Sequence, residues 1–126
     1  MGFYDIFKGT DINIELQEAR EVSDVVILDV RDTDEFRRGH IPGALNIPLD
    51  RINDIRKIIK KKDTHIYVYC LRGSRSSRAV TALKKAGYTN AKSIGGINRY
   101  KGKIEKGDKG PITLEEMMLY DIIDDD

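Results

Sequence analysis

Cys70 is the only cysteine of the 126-residue chain, and it separates an apolar stretch from a polar one. Residues 66–69 before it predict a buried strand, and residues 77–87 after it predict a helix. Ligands of α/β proteins bind beyond the carboxyl ends of such strands. The N–H groups of a tight loop and the positive end of a helix dipole bind anions there and stabilise a thiolate. We therefore expect a nucleophilic thiolate at Cys70, with a buried structural cysteine as the alternative.

The loop that follows the cysteine carries Gly73 and three arginines, at positions 72, 75 and 78. Arginines suit a substrate with anionic oxygens, because the guanidinium group offers forked N–H donors. Over the whole chain, 22 basic residues are nearly balanced by 21 acidic ones, which leaves a net charge of +1. That balance argues against a nucleic-acid-binding protein. The loop thus predicts a small anionic substrate, whereas the lysines at 60–62 predict a solvated helix end.

A single cysteine cannot form an internal disulfide, which fits a reducing compartment. The first residues lack the basic start and apolar core of a secretory signal, and no apolar run has the length of a membrane span. We therefore expect a cytoplasmic protein that binds no membrane. With one cysteine and two separated histidines, His40 and His65, we expect neither a metal site nor a cofactor.

Four short apolar runs alternate with helical patterns along the chain. These runs predict strands at residues 25–30, 44–47, 66–69 and 91–94, with Gly95-Gly96 expected to break the last strand. The first run is apolar without alternation, as is typical of a parallel strand covered on both faces. The alternation of strands with helices predicts a parallel α/β sandwich with helices on both faces of the sheet.

Capping residues and apolar spacing predict where the helices begin and end. We expect Asn13 to cap the first helix, and Asp32 and Glu35 to form a capping box at the start of the second. Asp50 is expected to cap a helix that holds four isoleucines at helical spacing. Gly87 is expected to end the helix after the cysteine loop in a left-handed conformation.

Residues 1–126 are expected to form a single domain with a core at about residues 10–107. The apolar residues 1–7 are expected to pack on that core. Residues 111–126 predict an additional C-terminal helix that ends in an acidic tail. The apolar stripe of that helix predicts either packing on its own domain or a homodimer contact.

Three motifs of the chain resemble, in order and spacing, those of rhodanese domains. The first holds the sequences ILDVR, EF, GHIPGA and NIP within residues 27–48, the second is YCLRGSRS at 69–76, and the third is Gly95-Gly96 followed by Tyr100. The resemblance covers about residues 10–107. It implies a three-layer α/β sandwich with a central, mostly parallel five-stranded sheet and helices on both faces. Tyr100 stands where the family usually has tryptophan.

The resemblance implies a single-domain sulfurtransferase of the thiosulfate sulfurtransferase type. Its catalytic Cys70 would take a sulfane sulfur from a donor such as thiosulfate and become a persulfide. A thiophilic acceptor, cyanide in assays or a cellular thiol, would then remove that sulfur. Arg75 is the first candidate for binding the anionic oxygens of the donor, and Arg72 is the second. The substrate-binding residues implied are those of the loop: Leu71, Arg72, Gly73, Ser74, Arg75 and Ser76.

Two alternatives stay open. One is a sulfur-relay or binding module, in which docking to a partner protein matters more than turnover with thiosulfate. The other is a phosphatase or arsenate reductase on the same fold, whose loop has seven residues where residues 70–75 are six. Cysteine phosphatases also place an arginine six positions after the nucleophile, where this chain has Ser76. The sequence is compatible with a monomer or a homodimer.

Three polar residues of the first motif, and one further histidine, have expected structural roles. Asp29 and Arg31 are expected to form a pair that fixes turns rather than to contact a substrate. His40, which precedes Ile-Pro-Gly, is expected to make a structural hydrogen bond. His65, at the start of a strand, is expected to lie on the surface.

Overall fold

The computed structural model of the chain describes residues 10–107. Four strands form one sheet in which every neighbouring pair is parallel: β1 (Val26–Asp29), β2 (Leu45–Asn46), β3 (Ile66–Cys70) and β4 (Ala91–Gly96). Their order across the sheet is β2-β1-β3-β4. The predicted parallel α/β architecture is confirmed, whereas residues 10–107 contain no fifth strand of the kind that the resemblance implies. The predictions for residues 1–7 and 111–126 lie outside the described residues.

Helices cover both faces of this sheet. They are α1 (Ile12–Ala19), α2 (Thr33–Arg38), α3 (Ile55–Ile58), α4 (Ser74–Lys85) and two 3-10 helices, Leu49–Asp54 and Ile97–Arg99. The apolar residues of α1 and α2 pack on one face, and those of α3, α4 and the first 3-10 helix pack on the other. No helix within residues 10–107 is long and apolar enough to cross a membrane.

The central strand β3 is buried along its whole length. Ile66, Val68 and Cys70 point into the core on the α4 side of the sheet, whereas Tyr67 and Tyr69 point into the core on the α1 side. A strand covered on both faces requires apolar side chains at every position, which explains its uniform sequence. Cys70 is the last residue of this inner strand, so it lies at the carboxyl end of the sheet and away from its edges.

Two predicted helix caps are wrong. Asp11, not Asn13, caps α1: the backbone of Asp11 is extended, and its carboxylate accepts the N–H of Asn13 at 2.9 Å. Asn13 already lies inside the helix, so its side chain cannot cap it. Asp50 likewise lies inside the 3-10 helix Leu49–Asp54, which begins directly after Pro48. Pro48 is the non-helical residue that precedes this helix, with φ −54° and ψ +148°, so the helix begins before Asp50.

Gly95 and Gly96 do not break β4, in contrast to the prediction. The strand continues to Gly96, and Ile94 is an extra residue between Ser93 and Gly95, which pair with consecutive residues of β3. Gly95 has a φ of +101°, a conformation that favours glycine. Ile94 and Gly95 therefore form a β-bulge, and the strand continues beyond it to Gly96, which pairs with Cys70.

Candidate active site

A tight loop joins the carboxyl end of β3 to α4. Gly73 has a φ of +113°, and this left-handed conformation turns the chain so that α4 begins at Ser74. Cys70 is buried, with 1% of its surface exposed, whereas Leu71 beside it is 36% exposed. The sulfur therefore lies at the base of the loop, next to residues that face solvent.

The sulfur of Cys70 accepts two backbone hydrogen bonds. The N–H of Gly73 donates at 3.0 Å, and the N–H of Ser76 donates at 3.3 Å. Both N–H groups lie at the start of α4, where backbone donors have no partner within the helix. Such donors bind an anionic sulfur more strongly than a neutral thiol. The N–H groups of the loop thus form an anion-binding site, and the atom bound there is the sulfur of Cys70.

Hydroxyl groups extend from the sulfur towards β4. Ser76 is completely buried, and its Oγ lies 3.5 Å from the Cys70 sulfur and 2.7 Å from the Oγ of Ser93. The Ser76 hydroxyl also donates to the C=O of Gly73 at 3.0 Å. Ser76 therefore contacts the loop at Cys70 and at Gly73, and its hydrogen bond with Ser93 joins the loop to β4.

Strand β4 packs directly against the back of the cysteine loop. The N–H of Asn98 donates to the C=O of Leu71 at 3.1 Å. A Cβ atom at Gly96 would lie 2.6 Å from the Cα of Arg72 and closer still to the carbonyl oxygen of Leu71. Only glycine permits this approach of two backbones.

We expect the Gly96→Ala variant to displace the loop. The added methyl group meets backbone rather than a flexible side chain, so we expect a loss of about 1–3 kcal/mol in the free energy of unfolding. The sulfur transfer that the resemblance implies should fall at least about tenfold, because a displaced loop misplaces the N–H donors. Urea unfolding and a thiocyanate assay measure the two effects. Gly43→Ala is the control: nothing lies within 4 Å of its added Cβ, so that alanine is disfavoured only by the positive φ of Gly43, +88°, whereas Gly96 has an extended φ of −128° and meets backbone. Equal losses of transfer in both variants would contradict the role given to Gly96.

The two arginines at positions 72 and 75 have different surroundings. The guanidinium group of Arg75 donates to both carboxylate oxygens of Glu35, at 2.7 and 3.1 Å, in a two-pronged ion pair. Arg72 is exposed, and within residues 10–107 its guanidinium group has no hydrogen-bond or ion-pair partner. The charge of Arg75 is therefore balanced by a carboxylate of α2, whereas the charge of Arg72 faces solvent.

Arg75 keeps Glu35 ionised. Its hydrogen bonds, assisted by the N–H of Asp32 and by the charge of Arg31, lower the pKa of Glu35 from 4.5 to about 2 against the opposing effect of burial. Because this pKa is lowered in the folded state, the pair stabilises the fold fully above about pH 4.5 and loses that contribution as the pH falls towards 2. The hydrogen bonds that Arg75 donates to Glu35 in turn raise the pKa of Arg75. Both groups are charged at neutral pH.

A second ion pair lies at the end of β1. The carboxylate of Asp29, which is completely buried, accepts the backbone N–H of Arg31 at 2.8 Å and its Nη2 at 2.7 Å. The same Nη2 donates to the C=O of Gly39, at the end of α2, at 2.7 Å. The predicted role of this pair in fixing turns is confirmed. Its contact with Gly39 also holds α2, the helix that carries Glu35.

The histidines lie outside the cysteine loop. His40 is completely buried; its Nδ1 is 2.8 Å from the C=O of Phe36, and its ring stacks on the Phe36 ring, so its predicted structural role is confirmed. His65 is exposed, as predicted. Tyr100 packs against the core on the α1 side. Within the part of the chain that the structure describes, no group of three or more His, Cys, Asp or Glu side chains could hold a metal ion.

Sequence reasoning missed two residues of this site. The sequence predicts Glu35 only as a helix-capping residue; its carboxylate does accept the N–H of Asp32 at 3.1 Å, but it also binds Arg75. Ser93 carried no signal, because one serine in a short strand does not indicate which hydroxyl it faces. The acidic first turn of α2, opposite in charge to the arginine-rich loop, is the one sequence feature that points to the Glu35 contact.

A family model described as a rhodanese-like domain matches residues 13–103. The chain is 41% identical over 80 residues to YqhL of Bacillus subtilis, which covers 63% of each protein, so it spans less than two thirds of that relative. It is 34% identical over 71 residues to the thiosulfate sulfurtransferase PspE of Escherichia coli, covering 56% of this chain and 68% of PspE. A solved structure of a rhodanese with anions from E. coli is 31% identical with a TM-score of 0.61, covering 65% of this chain and 98% of that one.

Proposed function

The chain belongs to the rhodanese-like domain family, and on that premise we propose that it is a sulfurtransferase that carries sulfur as a persulfide on Cys70. The observation that carries this proposal is the pair of backbone N–H donors on the cysteine sulfur, from Gly73 and Ser76. A group that must be anionic both before and after it accepts sulfur requires donors of this kind.

In the first half-reaction, the Cys70 thiolate attacks the sulfane sulfur of the donor. With thiosulfate, an S–S bond forms at Cys70, the S–S bond of thiosulfate breaks, and its electron pair leaves with sulfite. Neither an oxidant nor a proton is required, because the persulfide keeps the negative charge of the thiolate. We propose that the N–H groups of Gly73 and Ser76 stabilise this charge, and that Arg72 and Arg75 contact the donor oxygens.

In the second half-reaction, a thiophilic acceptor attacks the outer sulfur of the persulfide. Cyanide leaves as thiocyanate, a thiol leaves as a persulfide, and in both cases the Cys70 thiolate is regenerated. The two steps share one site, so ping-pong kinetics are expected. Leu71 and Ser74, which are exposed on the loop, are proposed to contact the donor or the acceptor.

A sulfur relay to a protein partner is the second candidate, and Leu71 favours it. This apolar side chain is 36% exposed directly beside the buried sulfur, in a position to contact an acceptor protein. A phosphatase or arsenate reductase is the least favoured candidate. The loop of residues 70–75 is one residue short for that chemistry, and the completely buried Ser76 takes the place of the phosphate-binding arginine.

The test is the intact mass of the reduced 126-residue chain after incubation with thiosulfate. We expect a gain of one sulfur atom, located at Cys70 by peptide mapping and released by cyanide as thiocyanate. Protein whose Cys70 has been alkylated beforehand is the control and should gain nothing. A gain from a persulfide donor but not from thiosulfate would favour the relay. No gain from any sulfur donor would contradict the proposal.

A further inference from the structure

The charge of Arg75 is already matched by a residue of the chain itself. The Nη1 and Nη2 atoms of its guanidinium group each donate to one carboxylate oxygen of Glu35. The side chains are only 30% and 20% exposed, so water competes weakly for this pair. The planar carboxylate binds in the manner in which two oxygens of an anionic donor would bind.

The charged residues next to Glu35 are also paired with one another. Arg31 is paired with Asp29, so the series Asp29, Arg31, Glu35 and Arg75 holds two negative and two positive charges. Arg72 is the remaining cation among loop residues 70–76, and it faces solvent. The loop is therefore less positive than its number of arginines implies.

We propose that Glu35 determines donor specificity by acting as a built-in anion that competes with the donor for Arg75. This inference rests on the proposed function and names the substrate class of the same site. The site is thereby matched to sulfane donors that carry little negative charge, such as persulfides of thiols, and it disfavours the thiosulfate dianion. Glu35 is a positioning residue, because it acts through Arg75.

The preferred reaction balances in the same way as the reaction with thiosulfate. The Cys70 thiolate attacks the outer sulfur of a thiol persulfide, R–S–SH, and the S–S bond of the donor breaks. The electron pair leaves with the donor thiol sulfur, which takes up the proton of the outer sulfur, and Cys70 is left as the persulfide anion. The reacting sulfurs of this donor carry no charge, whereas thiosulfate must bring two negative charges up to the loop. A neutralised Arg75 therefore hinders thiosulfate more than it hinders a persulfide.

The Glu35→Gln variant removes the competing charge with the least change in shape. A glutamine oxygen still accepts the N–H of Asp32, as in a natural capping box, so α2 should persist. We expect the ratio of kcat/KM for thiosulfate, a dianion, to that for methanethiosulfonate, a monoanion, to rise about three- to tenfold. The rise should shrink as salt is added, because the site is partly exposed.

Asp34→Asn is the matched control. Asp34 precedes Glu35 on the same helix and is 78% exposed, so this variant makes the same change in net charge away from Arg75. We expect its donor ratio to stay at the wild-type value. The double variant Glu35→Gln with Arg75→Ala should also return to near that value, because the gain acts through Arg75.

Alkylation of Cys70 tests the same inference without sulfur transfer. Iodoacetate is anionic and iodoacetamide is a neutral compound of similar size, so the ratio of their rates reports the charge preference at the sulfur. We expect this ratio to rise in Glu35→Gln and to stay unchanged in Asp34→Asn. Unchanged ratios in both the alkylation and donor assays would overturn the role of Glu35 while leaving sulfur transfer intact. A raised alkylation ratio in a protein that accepts sulfur from no donor would contradict the proposed function and support the charge selection.

Discussion

The Cys70→Ser variant is expected to lose sulfur transfer entirely. A serine hydroxyl is not ionised near neutral pH and cannot form a persulfide, so no sulfur should be gained from thiosulfate and none passed to cyanide. Thiocyanate formation should fall to the rate without protein, and the intact mass should stay constant after incubation with any sulfur donor. Transfer by this variant would exclude the mechanism proposed for Cys70.

The same variant should keep its fold, which separates a chemical loss from a structural one. Although Cys70 is buried, a hydroxyl in its place finds the N–H groups of Gly73 and Ser76 and is not left without a partner. We therefore expect a change below about 1 kcal/mol in the free energy of unfolding, measured in urea. The control is Ser77→Ala, which removes an exposed hydroxyl that also binds the C=O of Gly73 and should keep transfer.

The elements that were predictable from the sequence are those determined by local interactions. The capping spacing of Asp32 and Glu35 predicts α2, and that helix begins directly after Asp32. Gly87 follows α4 with a φ of +102°, as expected of a left-handed helix end. The apolar runs predict all four strands of the described sheet, because strands buried on both faces stand out from their polar surroundings.

Features that depend on contacts between distant parts of the chain were not predictable in this way. A glycine pair is an ordinary end signal for a strand. Only the pairing with β3 shows that Gly95 lies in a bulge, and only the approach of the cysteine loop shows why Gly96 must be small. The contact between Glu35 and Arg75 joins residues 40 positions apart. Sequence patterns predict the charges of both residues but not that they meet.

The candidate site shows the same division. Cys70 and its loop follow from the order of strand, cysteine, glycine and helix, which is a local pattern. The electrostatic character of that loop is not local. Counting arginines suggests a strongly positive pocket, whereas the structure pairs Arg75 with a carboxylate from another helix. The position of the cysteine was therefore more readily predicted than the charge of the loop around it.

The Arg31→Met variant is expected to lose about 3–5 kcal/mol in the free energy of unfolding. Methionine keeps much of the volume of arginine but leaves the completely buried carboxylate of Asp29 without its charged partner. It also releases the C=O of Gly39 at the end of α2. For a domain of about 100 residues the midpoint of thermal unfolding should fall by about 15–30 °C, which calorimetry measures.

Two comparisons distinguish an unpaired buried charge from the loss of any arginine. Arg51→Met breaks the pair with Asp54, but that arginine side chain is 66% exposed, so a loss below about 1 kcal/mol is expected. Adding Asp29→Asn to Arg31→Met should recover part of the lost stability, because the neutral amide no longer needs a cation and can still accept the N–H of residue 31. Equal losses for Arg31→Met and Arg51→Met would contradict this account. If Arg31→Met alone is strongly destabilised, the buried pair of Asp29 and Arg31 holds α2 in place through the C=O of Gly39. Because α2 carries Glu35, the same contacts then determine both the stability of the fold and the charge around Arg75.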